Sequence, residues 1–284
     1  MKYRHSFHAG NFADVHKHVA LLALIAGLQR KDKGFLYLET HAGRGLYDLG
    51  SAQANHGSEA RHGIGLVEKA SPVSPEIGHY LEAVQALRAA AGGVQFYPGS
   101  PLLAARALRP QDRGIAAEIQ APECRALERA LGGWRRMQAV CTDGMKLLES
   151  HLPPTERRAL VLIDPPYEQM RDDFDVSLAA IGTILQRLAN AVIAIWYPIK
   201  DERPLSVWLG RAERELQVPA LVSELWLYPR DSRVALNGSG LLLLNPPYGF
   251  EAAQSVWLAE LATILGAARH GGGSTQRWIV HEAA

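Results

Sequence analysis

The chain has 284 residues, enough for one α/β domain with a sizeable core, and its 48% hydrophobic and 21% charged residues indicate a globular protein. A formal charge of +1, from 30 Lys and Arg against 29 Asp and Glu, excludes a protein that binds nucleic acid through net charge alone. Two cysteines, Cys124 and Cys141, are too few for a disulfide framework or a four-cysteine zinc site, so we expect inert thiols in a reducing compartment.

The sequence shows no pattern of a membrane or secreted protein. Its best early apolar run, Val19 to Leu28, is too short to span a bilayer and is followed by Arg30, Lys31 and Lys33. Charged and histidine residues fill the first 18 positions, which is unlike a signal peptide. We therefore expect a soluble, cytoplasmic protein.

The first part of the chain predicts a helix, a strand and a glycine-rich turn. Apolar residues at helical spacing predict a helix over Ala13–Gln29. The apolar run Gly34–Thr40 predicts a strand, which ends in the turn His41–Gly45.

Residues 50–95 are rich in Ala, Gly, His and Glu, with helical stretches and no convincing strand pattern. We interpret them as a helical insertion subdomain. The expected organisation is one α/β domain formed by residues 1–49 and 96–284, with the insertion between them.

Strand and helix patterns alternate in the remainder of the chain. The predicted strands are Gly114–Ile119, Met137–Cys141, Ala159–Ile163, Ala191–Trp196, Leu221–Tyr228, Leu241–Leu244 and a terminal Arg277–Val280. The predicted helices are Leu102–Leu108, Pro122–Leu131, Gly144–His151, Phe174–Leu188 and Pro204–Leu216. Apolar strands separated by helices predict a parallel sheet covered on both faces. No helix fits between residues 229 and 239, so an antiparallel hairpin is expected there. Six parallel strands and a reversed seventh are typical of Rossmann-like methyltransferases.

The strongest chemical signal is Asp164-Pro165-Pro166-Tyr167, directly after the predicted strand Ala159–Ile163. A carboxylate at the carboxyl end of a buried strand lies in the ligand crevice of an open α/β sheet. The prolines stiffen the turn and lack N–H donors, so nearby carbonyls can accept from an exocyclic amine. Tyr167 offers a flat face on which a base can stack. An exposed Asp in a proline-rich turn is the alternative interpretation.

A second tetrapeptide, Asn245-Pro-Pro-Tyr248, follows another apolar strand and fits the same description. Chain order separates the two. If the glycine-rich turn follows the first strand, Asp164 follows the fourth, beside it, whereas Asn245 follows the final strand, farther from the crevice. We favour Asp164 and keep Asn245 as its rival.

Acidic residues at two further strand ends fit a nucleotide-like cofactor. Glu118 ends the second strand of the sheet, where a carboxylate typically accepts from ribose hydroxyls, and Asp143 with Gly144 follows the third. Glycines in Glu39–Gly45 let the backbone approach such a ligand, but the full dinucleotide fingerprint of NAD-binding proteins is absent. Ser100 is predicted to cap the next helix, to contact the pocket, or both. Together these residues predict an S-adenosylmethionine pocket.

The N-terminal segment 1–33 carries an excess of four positive charges over its two aspartates. A basic start with aromatic residues suits contact with phosphates and a base. The candidate substrate contacts are Tyr3, Arg4 and Lys17, whereas Lys31 and Lys33 are expected on a solvated face.

A metal site is not expected at this end of the chain. His16 and His18 are two residues apart on the predicted helix and point to different faces.

Several longer blocks carry a family resemblance: Tyr3–Asn11, Ala13–Val15, Lys17–His18, Phe35–Gly43, Tyr97–Pro101 and Leu162–Tyr167. In these blocks the chain closely resembles the bacterial 23S rRNA adenine-N6 methyltransferase family, large-subunit rRNA methyltransferase J. The resemblance covers essentially the whole chain and is weakest over the insertion.

This resemblance implies a Rossmann-like class I methyltransferase with a small helical insertion, acting on 23S rRNA. It implies cofactor contacts from His18, His41, Ser100, Glu118, Asp143, Gly144 and Asp164. It also implies that Asp164 is the catalytic acid, with Pro165 and Tyr167 in the same loop, and that Tyr3 contacts the substrate. The protein is expected to be a monomer without a metal.

The expected reaction is in-line methyl transfer to an adenine amine that donates to Asp164 and to a carbonyl of its loop. Two alternatives remain open at this point. The same loop chemistry suits DNA adenine or the side-chain amide of a protein glutamine. A protein of this fold that binds RNA or nucleotide without catalysis is the third possibility.

Overall fold

The computed structural model describes residues 8–50, 59–71, 73–232, 234 and 236–281. The strands are β1 (Leu36–Glu39), β2 (Leu46–Asp48), β3 (Phe96–Pro98), β4 (Arg113–Ala117), β5 (Met137–Val140), β6 (Ala159–Ile163), β7 (Val192–Ile199), β8 (Ala220–Trp226), β9 (Gly238–Leu244) and β10 (Gly273–Val280). The helices are α1 (Phe12–Gln29), α2 (Glu59–His62), α3 (Ile64–Val67), α4 (Pro75–Ala91), α5 (Ser100–Ala107), α6 (Ala121–Leu131), α7 (Gly144–His151), α8 (Met170–Arg187), α9 (Glu202–Glu215) and α10 (Phe250–Ile264), with a short 3₁₀ helix at Ala267–His270. None of the helices in the described ranges is both long and apolar enough to cross a membrane.

Eight strands form one sheet in the order β10-β8-β9-β7-β6-β1-β4-β5. The pairs within β5-β4-β1-β6-β7 are parallel, whereas β9 is antiparallel to both β7 and β8. Six strands therefore share one direction and β9 is reversed, which confirms the predicted methyltransferase-type sheet and its antiparallel hairpin. β10 adds an eighth strand, antiparallel to β8.

The central strands are buried on both faces because helices cover both sides of the sheet. Every residue of β6 and of β9 is buried. One hydrophobic core lies between the sheet and α1, α4, α5, α6 and α10, and a second lies between the opposite face and α7, α8 and α9. Continuous apolar segments therefore form strands here, since side chains on both faces enter a core.

Helix α1 lies across one face of the sheet, against α4, α5, α10 and β9. It begins one residue earlier than predicted because Asn11 caps it: the side-chain oxygen accepts from the backbone N–H groups of Ala13 and Asp14, each at 3.0 Å. Several polar side chains of this helix are buried. Four of them are at most 4% exposed: Asp14, His16, Lys17 and His18.

The stretch 50–95 contains α2, α3 and α4, in agreement with its helical pattern. β2 and β3 flank it and pair antiparallel in a small second sheet, which was not predicted because each strand has only three residues. The backbone N–H of Ile64 donates to the carbonyl of Gly10 at 2.9 Å and attaches these helices to the start of α1. The division of the chain at residues 50 and 95 stays a prediction.

Cys124 and Cys141 form a disulfide, which corrects the expectation of two inert thiols. Cys124 lies on α6 and Cys141 directly follows β5, and their Cα atoms are 5.6 Å apart. Because α6 folds back onto β5, two residues separated by 17 positions become neighbours. The spacing of two cysteines carries no information about such a contact.

Candidate active site

Polar residues gather at the edge of the sheet where the parallel strands end. His41 follows β1, Glu118 follows β4, Asp143 follows β5 and Asp164 follows β6. Parallel strands present their carboxyl ends at one edge, so these four residues, with Lys200 after β7, lie along one crevice. This is the edge at which an open α/β sheet binds its ligands.

A cavity of about 460 Å³ opens beside Asp164. Phe12, Trp196 and Pro198 contribute apolar walls, and Pro166 of the predicted loop also lines it. Its volume and its mixture of apolar walls and a few charged groups suit a ligand of nucleotide size. The structure therefore brings Asp164 and Pro166 to the side of a site that a base can enter.

Lys17 of α1 is bonded to Asp164. Its Nζ donates to Asp164 Oδ2 at 2.6 Å and lies 3.1 Å from Asp14 Oδ1, and the three side chains are 5%, 13% and 3% exposed. Burial by itself would lower the pKa of the Lys17 ammonium, but the two carboxylates more than offset that effect and raise it. Lys17 is therefore a fixed cation beside the candidate catalytic carboxylate.

This placement makes Lys17 a partner of Asp164 rather than an exposed cation, and because Lys17 also lines the cavity, its predicted contact with the substrate stays a prediction. The ammonium is buried between two carboxylates because α1 is packed against the sheet, with positions 14 and 17 facing the end of β6. The other two predicted substrate contacts, Tyr3 and Arg4, lie outside the described residues, so their roles stay predictions.

Tyr167 differs from the prediction that its ring stacks on a base. The side chain is 4% exposed, and its hydroxyl donates to the carbonyl of Trp196 at 2.7 Å. Its ring contacts those of Phe174 and Trp196, with centroids 5.2 and 5.8 Å away. A backbone φ of 51° turns the side chain inward, so Tyr167 anchors the loop in the core and Pro165, also buried, lies beside it.

The glycine-rich turn after β1 meets Glu118. The Glu118 carboxylate accepts from the backbone N–H of Gly43 at 3.0 Å and from that of Gln120 at 2.7 Å. Burial raises the pKa of this carboxyl despite those two bonds. Gly43 has a φ of 61°, and a Cβ there would collide with the hydroxyl of Tyr47, so this turn requires glycine.

Asp143 and Gly144 bring the start of α7 against the end of β1. Asp143 is the N-cap of α7, and its Oδ1 accepts from the backbone N–H groups of Met145 and Lys146. A Cβ on Gly144 would collide with the backbone carbonyl and the side chain of Thr40. The absence of a side chain is therefore what allows the two segments to form one continuous crevice.

Ser100 is not the N-cap that the sequence predicted. Gly99 occupies the cap of α5, and the hydroxyl of Ser100, in the first turn, donates to the carboxylate of Glu39. The helix begins one residue earlier than a serine cap requires, so Ser100 is part of its first turn. Its hydroxyl therefore bonds to the buried Glu39 at the crevice instead of capping the helix.

Glu39, the last residue of β1, was not singled out from the sequence as a candidate. Its side chain is fully buried and also accepts from the hydroxyl of Tyr37 at 2.9 Å. Burial raises the pKa of Glu39 to about 7, and the charge of Asp164 adds to that rise. A charged residue at the end of an apolar strand is the signal that could have identified it.

The histidines of the site differ in their access to the crevice. His18 is 1% exposed, with its Nδ1 2.9 Å from the hydroxyl of Tyr97 and its ring stacked on that side chain. His41 is half-buried, with its Nδ1 2.8 Å from the hydroxyl of Thr40, and burial lowers its pKa. His41 therefore reaches the crevice, whereas His18 fixes α1 against β3.

His16, on another face of α1, lies between two serine hydroxyls. Its Nδ1 is 2.9 Å from Ser239 Oγ and its Nε2 is 3.1 Å from Ser223 Oγ. Burial lowers the pKa of His16 to about 3, so the ring is neutral. As predicted, His16 and His18 point to different partners.

Asn245, the rival of Asp164, lies at the opposite edge of the sheet. Because β9 runs against β7, its end lies beside the start of β7. The Asn245 amide donates to the carbonyls of Ala189 and Ala191, each at 3.0 Å, and Tyr248 is 94% exposed. The reversed strand therefore excludes Asn245 from the crevice that holds Asp164.

Known proteins similar to this chain are ribosomal RNA methyltransferases. A family model described as Ribosomal RNA large subunit methyltransferase D, RlmJ, matches residues 32–280. The chain is 35% identical over 284 residues to Ribosomal RNA large subunit methyltransferase J of Haemophilus influenzae, and 36% identical over 282 residues to that of Escherichia coli; each match covers 99% of this chain and 100% of the relative. The crystal structure of protein LPL1258 from Legionella pneumophila has a TM-score of 0.85 and 30% identity, covering 95% of this chain and 97% of that one.

Proposed function

This chain belongs to the ribosomal RNA large subunit methyltransferase J family, and from that membership we propose that it methylates the N6 amine of one adenine in 23S rRNA, using S-adenosylmethionine. The observation that supports this proposal most directly is the Asp164 carboxylate, held by Lys17 at the side of a nucleotide-sized cavity. A carboxylate in that position can accept a hydrogen bond from an exocyclic amine.

The residues of the crevice fit S-adenosylmethionine. Glu118 presents a buried carboxylate at the end of β4, suited to ribose hydroxyls, and Asp143 lies one strand away for an adenine amine. Gly144 lets the start of α7 lie directly against Thr40, next to the turn at His41. When bound, the cofactor supplies an electrophilic methyl group on a sulfonium. We assign direct contacts to these residues and a positioning role to His18 and Ser100, whose polar atoms are turned to Tyr97 and Glu39.

Asp164 orients the acceptor amine. Lys17 holds Oδ2, which fixes the plane of the carboxylate, so that Oδ1 accepts one amine hydrogen. A carbonyl of the Pro165–Pro166 turn accepts the other, because prolines do not compete as donors. These two bonds direct the nitrogen lone pair toward the methyl group, and most of the acceleration then comes from positioning. The proton that the nitrogen loses passes to Asp164 and on to water.

The target adenine enters the cavity as a base displaced from its stack. Trp196, Pro198 and Phe12 supply the apolar surfaces against which it lies, in place of Tyr167. Tyr167 acts indirectly, since its hydroxyl bond to the Trp196 carbonyl ties the loop of Asp164 to the wall of the cavity.

The test is methyl transfer from labelled S-adenosylmethionine to three substrates side by side: protein-free 23S rRNA from a strain lacking this enzyme, assembled large subunits, and adenine-rich duplex DNA. The proposal expects label in N6-methyladenosine of the rRNA, at one position after nuclease digestion. Label in the DNA, or cofactor binding without transfer to any of the three, would overturn it, and protein glutamine would then be assayed as the acceptor.

A further inference from the structure

We propose that a second segment of the RNA, distant from the target adenine, binds at the edge of the sheet opposite the active site. This inference rests on the proposed RNA substrate and names a surface that the reaction itself does not need. The surface, called the basic edge below, consists of residues 30–33, 109–113, 135–136 and 156–158, which lie at or just before the starts of β1, β4, β5 and β6.

Hydrogen bonds show that these segments form one continuous surface. Arg158 donates to the carbonyls of Lys33 and Leu28, and Arg109 donates to those of Lys31 and Gln29. Three further bonds extend the surface: Arg136 to the carbonyl of Pro110, Arg113 to Glu156, and Arg30 to the carbonyl of Tyr248.

The basic edge has a large excess of positive charge. Its four segments contain nine Lys and Arg residues against three acids, in a chain whose formal charge is +1. Asp112 and Glu156 are each paired with an arginine of the same surface. When these two pairs are set aside, one acid, Asp32, and seven Lys and Arg residues remain. The bonds of Arg30, Arg136 and Arg158 go to neutral carbonyls, so they orient these guanidiniums without cancelling their charge.

Most of this charge faces solvent. Six of the nine cations are exposed: Arg30, Lys31, Lys33, Arg135, Arg136 and Arg157. Lys31 and Lys33 have no carboxylate partner within the described part of the chain. A concentration of positive charge without carboxylate partners suits a polyanion such as a nucleic acid. When the regularly spaced phosphates bind these cations, counterions are released, which favours association.

Tyr248 makes a nucleic acid a better partner than an acidic protein. Its side chain is 94% exposed, and its backbone carbonyl accepts from Arg30, so an open aromatic ring adjoins the cations. Unpaired bases stack on such rings. We therefore infer a segment with exposed bases, such as a loop or bulge, rather than a regular duplex.

The distance between the two edges defines which RNA can use both. The four strands that run from the basic edge to the catalytic crevice have four or five residues each, which separates the two by about 13 to 17 Å, at roughly 3.3 Å per residue. A short hairpin held in the cavity stays at the catalytic edge, whereas full-length 23S rRNA can supply a second segment.

The test compares full-length 23S rRNA with a short hairpin that contains the methylated adenine. The variant Lys31→Gln/Lys33→Gln removes two exposed charges, and Lys69→Gln/Arg125→Gln removes two exposed charges elsewhere as a control. For full-length RNA we expect the slope of log Kd against log salt to become shallower by about 1.4 to 1.8 in the first variant only, at about 0.7 to 0.9 per phosphate contact. Binding and methylation of the hairpin should stay unchanged.

Tyr248→Ser provides a second measurement that leaves the charge unchanged. It should weaken binding of full-length RNA at least about fivefold, the loss of one stacked base, with no effect on the hairpin. Equal slopes for the two double variants, or equal losses on hairpin and full-length RNA, would overturn the inference. Failure of the wild-type protein to methylate rRNA would instead overturn the proposed function.

Discussion

Asp164 and Lys17 are joined by a 2.6 Å ion pair although 147 residues separate them in the chain. With Asp14 they form a buried group of two carboxylates and one ammonium, which fixes the orientation of the Asp164 carboxylate. A side chain on a loop usually has no fixed orientation. The ion pair with Lys17 gives Asp164 one, and catalysis by positioning of the reactants depends on such preorganisation.

Replacing Asp164 by Asn tests the role of its charge. The amide has the same size but a weaker acceptor, so we expect kcat to fall about 100-fold or more while the Kd for S-adenosylmethionine changes less than about threefold. Single-turnover methylation and calorimetric titration measure the two quantities. Asp172→Asn, at an exposed position of α8, is the matched control and should leave both unchanged. A D164N enzyme with near wild-type turnover would contradict the assignment.

Glu39 predicts a pH dependence of stability. The folded protein holds this carboxyl protonated up to about pH 7, whereas in the unfolded chain it ionises near 4.5. The folded state binds more protons between these values, so the contribution of Glu39 is fully present below about pH 4.5 and is lost as the pH rises through 7. The loss is on the order of 3 kcal/mol.

The variant Glu39→Gln isolates this effect from other titrating groups, because Gln cannot ionise. As the pH rises from 5 to 7.5, the free energy of unfolding of the wild type, measured in urea, should fall relative to that of the variant. His16 contributes equally to both proteins and cancels. A difference independent of pH would show that Glu39 is ionised in the folded protein throughout this range.

Among the elements, the contact of α7 with the end of β1 depends on one glycine. Gly144 lies so close to Thr40 that any side chain would push the helix from the turn. Both segments border the proposed cofactor crevice, so the quality of this contact determines how well the crevice fits its ligand.

Gly144→Ala should therefore destabilise the protein by about 1 to 3 kcal/mol and raise the Kd for S-adenosylmethionine at least about tenfold. Chemical denaturation and calorimetry measure these changes. Gly182→Ala in α8 is the control: a Cβ there meets nothing within 4 Å, so the same substitution should leave cofactor binding unchanged and stabilise the helix by about 0.5 to 1 kcal/mol. Wild-type cofactor affinity in G144A would mean that the contact does not shape the crevice.

The elements were largely predictable, and the contacts between them were not. Continuous apolar runs such as Ala159–Ile163 indicate buried strands whatever surrounds them. The three-residue strands β2 and β3 are too short to produce a pattern. The contact between Lys17 and Asp164 was not predictable either, because helical spacing does not reveal the partner of a side chain. The orientation of Tyr167 depends on a positive φ that its residue type does not suggest.

At the scale of the whole molecule, the direction of β9 determines that the tetrapeptides beginning at Asp164 and Asn245 lie at different edges of the sheet. Asp164 and Asn245 both follow buried strands, but the reversal places them at opposite edges of the sheet. Order along the chain suggested this separation, and the antiparallel pairing of β9 explains it. One edge holds the proposed chemistry, and the other carries the basic edge.

Asn245→Ala tests this division. The substitution leaves the carbonyls of Ala189 and Ala191 without the amide that now donates to them, so we expect stability to fall by about 1 to 2 kcal/mol. On a short hairpin kcat should stay within about twofold of wild type. Urea unfolding and steady-state methylation distinguish the two effects, and a large loss of kcat in stably folded N245A would return Asn245 to the catalytic candidates.

The burial of α1 has a consequence for how the protein is made. This helix is synthesised before every strand of the sheet, yet Asp164, which pairs with Lys17, lies 147 residues later, and Ser239 of β9, which contacts His16, lies 223 residues later. At about 5 to 20 residues per second, Lys17 waits about 7 to 30 seconds for Asp164 to be synthesised. Throughout that interval β9, the strand against which α1 packs, has not been synthesised, so the apolar face of α1 offers an early binding segment to chaperones, and the Lys17–Asp164 pair forms only after β6 has been made.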